Sequence, residues 1–114
     1  MSEVTGGRWE TVDTWWVKIY LAGDIGVAKQ VLREQCFAYK LCVTVEPCEY
    51  IYTGGQEAGY CIGLINYPKF PKSKEEIVHI ATNIALGLVE ATHQWSFTLM
   101  TPDKTSWFTR RSDD

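Results

Sequence analysis

The chain has 114 residues, a formal net charge of −3 and 46% hydrophobic residues. That length allows one domain with a core large enough to do without disulfides or metal, and leaves no room for separate catalytic and regulatory domains. A charged share of 22% beside five Trp, six Tyr and four Phe excludes global disorder, and the acidic balance argues against nucleic acid as a partner.

Residues 1–13 are polar, contain Gly6-Gly7 and read as a flexible tail that Trp9 could tack down. They lack the apolar centre of a secretory leader, and no apolar run approaches the ~20 residues of a membrane span, so the cytoplasm is the expected address. From Trp15 to Leu21 β-branched and aromatic residues dominate. Val17, Ile19 and Leu21 share one face of this strand, and Trp16, Lys18 and Tyr20 the other. Asp24 can cap a helix by accepting backbone N–H bonds. Ala28, Val31, Leu32, Gln35 and Cys36 then fall on one helical stripe that ends near Tyr39. Leu41–Glu46 predicts a second strand, and Pro47, which has no N–H to donate, places it at an edge or bulge. The extended pattern resumes through Tyr50-Ile51-Tyr52. Thr53-Gly54-Gly55-Gln56 supplies a tight turn, and a third strand over residues 57–67 completes a long hairpin.

Pro68-Lys69-Phe70-Pro71 forms a stiff linker. Ser73 and Glu76 have the spacing of a capping box. Behind them Ile77, Ile80, Ala81, Ile84, Leu88 and Ala91 make an apolar helical stripe, with the helix running to about His93. Trp95–Thr101 is a strand, residues 102–105 a turn, and Ser106–Thr109 a short extra strand.

This order predicts an α+β, ferredoxin-like βαββαβ sandwich over residues 14–111, with residues 112–114 as a tail. The sheet is antiparallel in strand order 4-1-3-2, and both helices lie on one face because βαβ crossovers are right-handed. The helix-facing set of the third strand is Tyr60, Ile62 and Leu64. The open face mixes aromatics, thiols and hydroxyls. Trp16, Lys18, Tyr20, Thr44, Glu46 and Thr98 are its expected interface, suited to packing on another subunit or holding a flat ligand.

Three segments carry a resemblance: Ala28-Lys29-Gln30-Val31-Leu32-Arg33-Glu34, Leu41-Cys42-Val43-Thr44-Val45-Glu46-Pro47 and Tyr50-Ile51-Tyr52-Thr53-Gly54-Gly55. Together with the long hairpin they resemble the CutA family over about residues 14–101. The resemblance implies a trimer whose hairpins embrace neighbouring subunits, an architecture shared with PII-like proteins that bind nucleotides between subunits. His93-Gln94-Trp95-Ser96 stands where that family has a His-Pro-Tyr-type segment, and the turn lacks its Trp. Gly63–Pro68 also resembles small bacterial and phage proteins. An RNA-recognition motif shares the strand order, with Ile19-Tyr20-Leu21 and Gly59-Tyr60 as partial echoes of its stacking strands. Here Glu57 stands where a basic residue is expected, and the acidic chain lacks phosphate attraction.

The cysteines, Cys36, Cys42, Cys48 and Cys61, are separated by five, five and twelve residues, which is no zinc pattern; they read as reduced and mostly buried. His79 and His93 are about 21 Å apart on a helix rising 1.5 Å per residue, too far to share a metal. Gly23-Asp24-Ile25-Gly26 precedes a helix, but Asp24 would repel phosphate. Glu46, Glu49 and Glu57 lie along the hairpin, where they can blunt an edge or flank a polar site. Arg110-Arg111 beside Trp107 can grip an anion under an aromatic lid. The candidate ligand residues are therefore Tyr50, Tyr52, Gly54, Gly55, Trp107 and Arg110. No metal or cofactor is implied, and no nucleophile–base pair is visible. The expected function is that of a non-enzymatic homo-oligomer, a trimer by the resemblance, binding a small ligand or a protein partner. The alternatives are a small enzyme with an active site between subunits, using Glu46 with His79, or an RNA-recognition-like binder.

Overall fold

A computed structural model describes residues 6–112. Residues 1–5 of the expected N-terminal tail and 113–114 of the expected C-terminal tail lie outside the described residues. Alternation along the first strand, β1 (Trp16–Ala22), buries Val17, Ile19 and Leu21 almost completely. Helix α1 (Ile25–Tyr39), strands β2 (Thr44–Tyr52) and β3 (Gly55–Ile65), helix α2 (Lys74–Ala91) and strands β4 (Ser96–Met100) and β5 (Thr105–Thr109) follow. The five strands form one antiparallel sheet in the order β2-β3-β1-β4-β5. The α+β, ferredoxin-like architecture is thus present, with the extra C-terminal strand at one edge.

One core lies between the helices and one face of the sheet. Tyr60, Ile62 and Leu64 of β3 and Phe97 and Leu99 of β4 join the β1 residues against Ala28 and Leu32 of α1 and the stripe from Ile77 to Val89 of α2. Burying each large apolar side chain contributes roughly 1.5–3 kcal/mol, which is what fixes this face inward. The helices meet where the Gln35 amide lies over Gly87, a Cβ there standing 2.5 Å from Gln35 Nε2.

Both helix starts are capped, α1 as its sequence predicts and α2 by the Ser73 half of the expected capping box. Asp24 Oδ1 accepts from Gly26 N at 2.7 Å and Val27 N at 3.4 Å. Ser73 Oγ accepts from Glu76 N at 3.1 Å, and Glu75 and Glu76 complement the dipole of the first turn. The capping role occupies Asp24, which leaves this turn ill suited to an anion.

Several boundaries differ from the sequence expectation. Strand β2 starts at Thr44 rather than Leu41, because Lys40 adopts a left-handed cap (φ 54°) and Leu41 N still donates to Cys36 O around the helix end. It then runs through Pro47, which an edge strand tolerates. The hairpin loop is Thr53-Gly54, with Tyr52 paired to Gly55 and Gly54 at φ +85°. Helix α2 stops at Ala91, short of His93, because Thr92 turns both its N–H and its hydroxyl onto the Leu88 carbonyl and His93 is left-handed at φ 57°. Trp9 is 74% exposed and tacks nothing down; Asn66 secures the entry to β1 instead, donating from Nδ2 to Asp13 O and from its backbone N to Trp15 O. No helix among the described residues is long and apolar enough to cross a membrane.

Candidate functional site

A break in strand pairing makes the site. The β1–β4 ladder ends at Tyr20 opposite Thr98, whereas β1–β3 continues to Ala22 opposite Gly59 and β4–β5 reaches Ser96 opposite Thr109. Beyond that point β1 and β4 separate, and a hollow of about 410 Å³ opens on the face away from the helices. Its walls include Tyr20, Tyr50, Glu57, Thr98, Trp107 and Arg111. Register brings them together: Glu46, Cys61, Tyr20, Thr98 and Trp107 form one row across all five strands. Tyr50 lies opposite Glu57 at the base of the hairpin.

Tyr50 is the structural link between hairpin and sheet. Its hydroxyl lies 2.9 Å from Leu21 O and 3.2 Å from Tyr60 O, and donates its proton to this pair of carbonyls. Burial pushes its pKa well above the ordinary tyrosine range. Tyr20 is pushed up as well, chiefly because charge on the adjacent Cys61 thiol would oppose ionisation, and secondly by burial. Burial also raises the Cys61 thiol, so the floor beside the hollow carries neutral phenols and a protonated thiol at ordinary pH.

The opposite wall is aromatic and basic. The guanidinium carbons of Arg110 and Arg111 lie 5.4 and 5.1 Å from the centre of the Trp95 ring. Arg110 is anchored, its backbone N donating to Trp95 O and its Nη2 to Gln94 O. Arg111 lines the hollow. Trp107 is 59% exposed and offers a broad ring surface there.

The candidate residues therefore divide. Tyr50 and Trp107 meet in the hollow with Tyr20 and Thr98 of the open-face set, while Arg110 stands beside it on Trp95. Tyr52, Gly54 and Gly55 lie at the hairpin tip. Trp16 and Lys18 lie further along the open face, with Lys18 Nζ 5.5 Å from the Trp16 ring centre. Thr44 covers Gly63, where a Cβ would stand 2.5 Å from its Oγ1, and Glu46 ends the row at the edge. His79 faces a groove on the helix side with Lys74 and Asp103, so a Glu46–His79 pair does not assemble within one chain. Tyr60 is fully buried in the core, so the partial echo of a base-stacking strand presents no ring to solvent. Among the described residues no cluster of three or more His, Cys, Asp or Glu could hold a metal. Sequence reasoning missed Trp95 and Gly59. The signal for Gly59 was available, because a glycine inside a strand marks a close approach.

No protein-family model matches the chain, and no curated protein does. Solved structures do. A phage SAM lyase in complex with S-methyl-5'-thioadenosine superposes with a TM-score of 0.70 at 13% identity, covering 90% of this chain and 94% of that one. A phage SAM lyase in the apo state gives a TM-score of 0.64 at 14% identity, covering 85% and 90%. At this identity the likeness shows the fold. It also corrects the CutA and PII-like resemblance: the structural neighbours are phage SAM lyases. The short motifs behind that resemblance, a helix stripe, a β-branched strand and a Gly-Gly turn, are what any ferredoxin-like unit with a long hairpin requires.

Proposed function

We propose that this chain is a small cytoplasmic enzyme acting on S-adenosylmethionine or a close adenosyl sulfonium, with the open-face hollow as its site. One observation carries the reading. Aromatic, carboxylate and guanidinium groups converge on a single hollow of a fold that matches, over nine-tenths of this chain, a phage SAM lyase holding S-methyl-5'-thioadenosine.

The ligand's chemistry suits the hollow. The Trp107 ring offers a stacking surface for adenine. Arg111 can pair with an α-carboxylate. Glu57 suits the α-ammonium or the ribose hydroxyls. A carboxylate set against the sulfonium itself would stabilise the charge that C–S cleavage removes, and so slow the reaction. With water kept out, the substrate's own α-carboxylate can attack the carbon bonded to sulfur: a C–O bond forms as the C–S bond breaks, the electron pair leaves on sulfur, and a lactone and a neutral thioether result without a proton from the enzyme. A site without a general acid can therefore serve, provided it orients the arm and keeps water out.

Assembly belongs to the same reading. Beyond Gly59 the hairpin leaves the sheet as a two-stranded ribbon, with Ile51 77% and Tyr52 54% exposed. A two-stranded ribbon is marginal alone, and a second copy packed on it would cover these residues and wall the hollow. The homo-oligomer, with a trimer as the state to look for, is accordingly part of the proposal.

Incubation of the purified protein with S-adenosylmethionine, followed by chromatography, tests the reading. Release of S-methyl-5'-thioadenosine, abolished in Trp107→Ala, is expected. Binding without turnover would overturn the enzymatic part and leave a ligand-binding protein. Neither binding nor turnover would overturn the whole.

A further inference from the structure

A second hollow, of about 480 Å³, lies at the end of the sheet away from the hairpin tip, beside the C-terminal part of α1. Its apolar wall includes Phe37, Ile65, Tyr67 and Phe70, exposed by 87%, 59%, 45% and 55%. Its charged lining residues, Lys40 and Lys72, are both basic in a chain of net charge −3. Lys69 stands 5.6 Å from the Phe70 ring centre but lines a neighbouring depression with Arg8 and Glu10. Nothing in the fold requires Phe37 to be bare, and solvation alone would favour a polar residue there.

The Tyr67–Phe70 side of the wall is held in place before anything binds. Phe70 N donates to Tyr67 O at 3.0 Å across a turn that contains Pro68, and the two rings lie 6.1 Å apart. Asn66 fixes the turn from below, accepting from Lys72 N at 3.0 Å and donating its own backbone N to Trp15 O at 2.8 Å. A pre-ordered aromatic wall loses little entropy on binding.

We propose that this hollow docks an acidic, apolar-anchored segment of a partner protein. Its apolar side chains would fill the space between Phe37 and the Tyr67–Phe70 turn, and its carboxylates would meet Lys40 and Lys72. Concavity decides against a flat lipid surface, which would touch the rims and leave the hollow empty. Two lysines also fall short of the four to eight that mark an anionic-lipid patch. An amphipathic helix, with apolar residues on one face and carboxylates along its flanks, is one form of such a segment.

The probe is a fluorescein-labelled amphipathic helical peptide with Leu and Phe on one face and Glu along its flanks, alongside the same peptide with Lys for every Glu. Fluorescence anisotropy should show binding of the Glu peptide, weakened by added salt, and at least tenfold weaker binding of the Lys peptide. Phe37→Ser should weaken the Glu peptide at least tenfold with an unchanged melting temperature, since that side chain is almost wholly exposed. Lys40→Glu with Lys72→Glu should reverse the preference between peptides. Equal binding of both peptides, binding of neither, or indifference to both variants would overturn the proposal. So would Phe37-dependent sedimentation with phosphatidylserine vesicles, which assigns the patch to a membrane, or a fall in oligomer mass in Phe37→Ser, which assigns it to a second copy. Turnover of S-adenosylmethionine is not read in any arm, so the outcome is independent of the proposed enzyme activity.

Discussion

The Tyr50 ring lies directly across Gly59, so close that a Cβ at position 59 would stand 2.4 Å from its Cε2 and 2.3 Å from the Leu21 carbonyl oxygen. The bare glycine lets a side chain of β2 cross β3 and reach the backbone of β1. Gly59→Ala must therefore displace either the ring or the β1 backbone. A loss of about 1–3 kcal/mol is expected, the usual cost of overpacking, read as a lower melting temperature. Tyr50→Phe keeps the ring and removes the hydroxyl, and should cost about 1 kcal/mol. If Gly59→Ala melts with the parent protein, the crossing is not rigid.

The phenols and thiols set a direction for pH dependence. Tyr20, Tyr50 and Tyr60 are held above the ordinary value of 10.0, and Cys36 and Cys61 above 9.0, with burial the leading cause except at Tyr20, where Cys61 leads. Each favours the folded state in its neutral form. That contribution is complete below the unfolded value and is lost as pH rises through the raised one. Melting temperatures should therefore start to fall near pH 9 and drop faster above 10. Asp103 acts in the opposite sense: the Thr101 hydroxyl, then Lys74, hold it below 3.8, so its contribution is present above that value and lost as pH falls through the lowered one. Flat alkaline melting curves would contradict the burial of these groups.

Much of this architecture was legible because single residues carry strong local physics. The Val17-Ile19-Leu21 alternation, the caps at Asp24 and Ser73 and the α2 stripe each specify their element without tertiary help, and the sheet order follows from handedness. The hollow was less legible, since it depends on where the β1–β4 ladder stops, and no local pattern encodes that point. Tyr50 and Trp107 were accessible as aromatics beyond the needs of the core. Their meeting with Glu57 and Arg111 depends on register summed over four ladders. Glu46 lies on the open face, as its alternation predicts, and His79 on the helix side, so the two could meet only across a contact between subunits, as an inter-subunit site requires.

Thiol reactivity follows from exposure and burial. Cys42 is exposed and Cys61 buried with its pKa raised, and the thiolate is the reacting form. At pH 8 a chromogenic disulfide reagent should modify Cys42 rapidly and Cys61 last. Cys61→Ala should remove the slowest phase and nothing else. A fast Cys61 would mean that the open-face floor is more accessible than its burial implies.

Arg111 gives the sharpest test of how a ligand lies in the hollow. S-methyl-5'-thioadenosine lacks the amino-acid arm of S-adenosylmethionine, so it has no carboxylate for a guanidinium to meet. Losing a hydrogen bond to a charged group costs about 1.5–3 kcal/mol, and the exposure of Arg111 puts it at the lower end, roughly tenfold in affinity. Arg111→Ala should therefore weaken S-adenosylmethionine about tenfold and leave S-methyl-5'-thioadenosine unchanged, by titration calorimetry. Trp107→Ala should weaken both, because both carry the adenine. Equal losses for the two ligands in Arg111→Ala would place that side chain near the nucleoside and reverse the orientation of the ligand in the hollow.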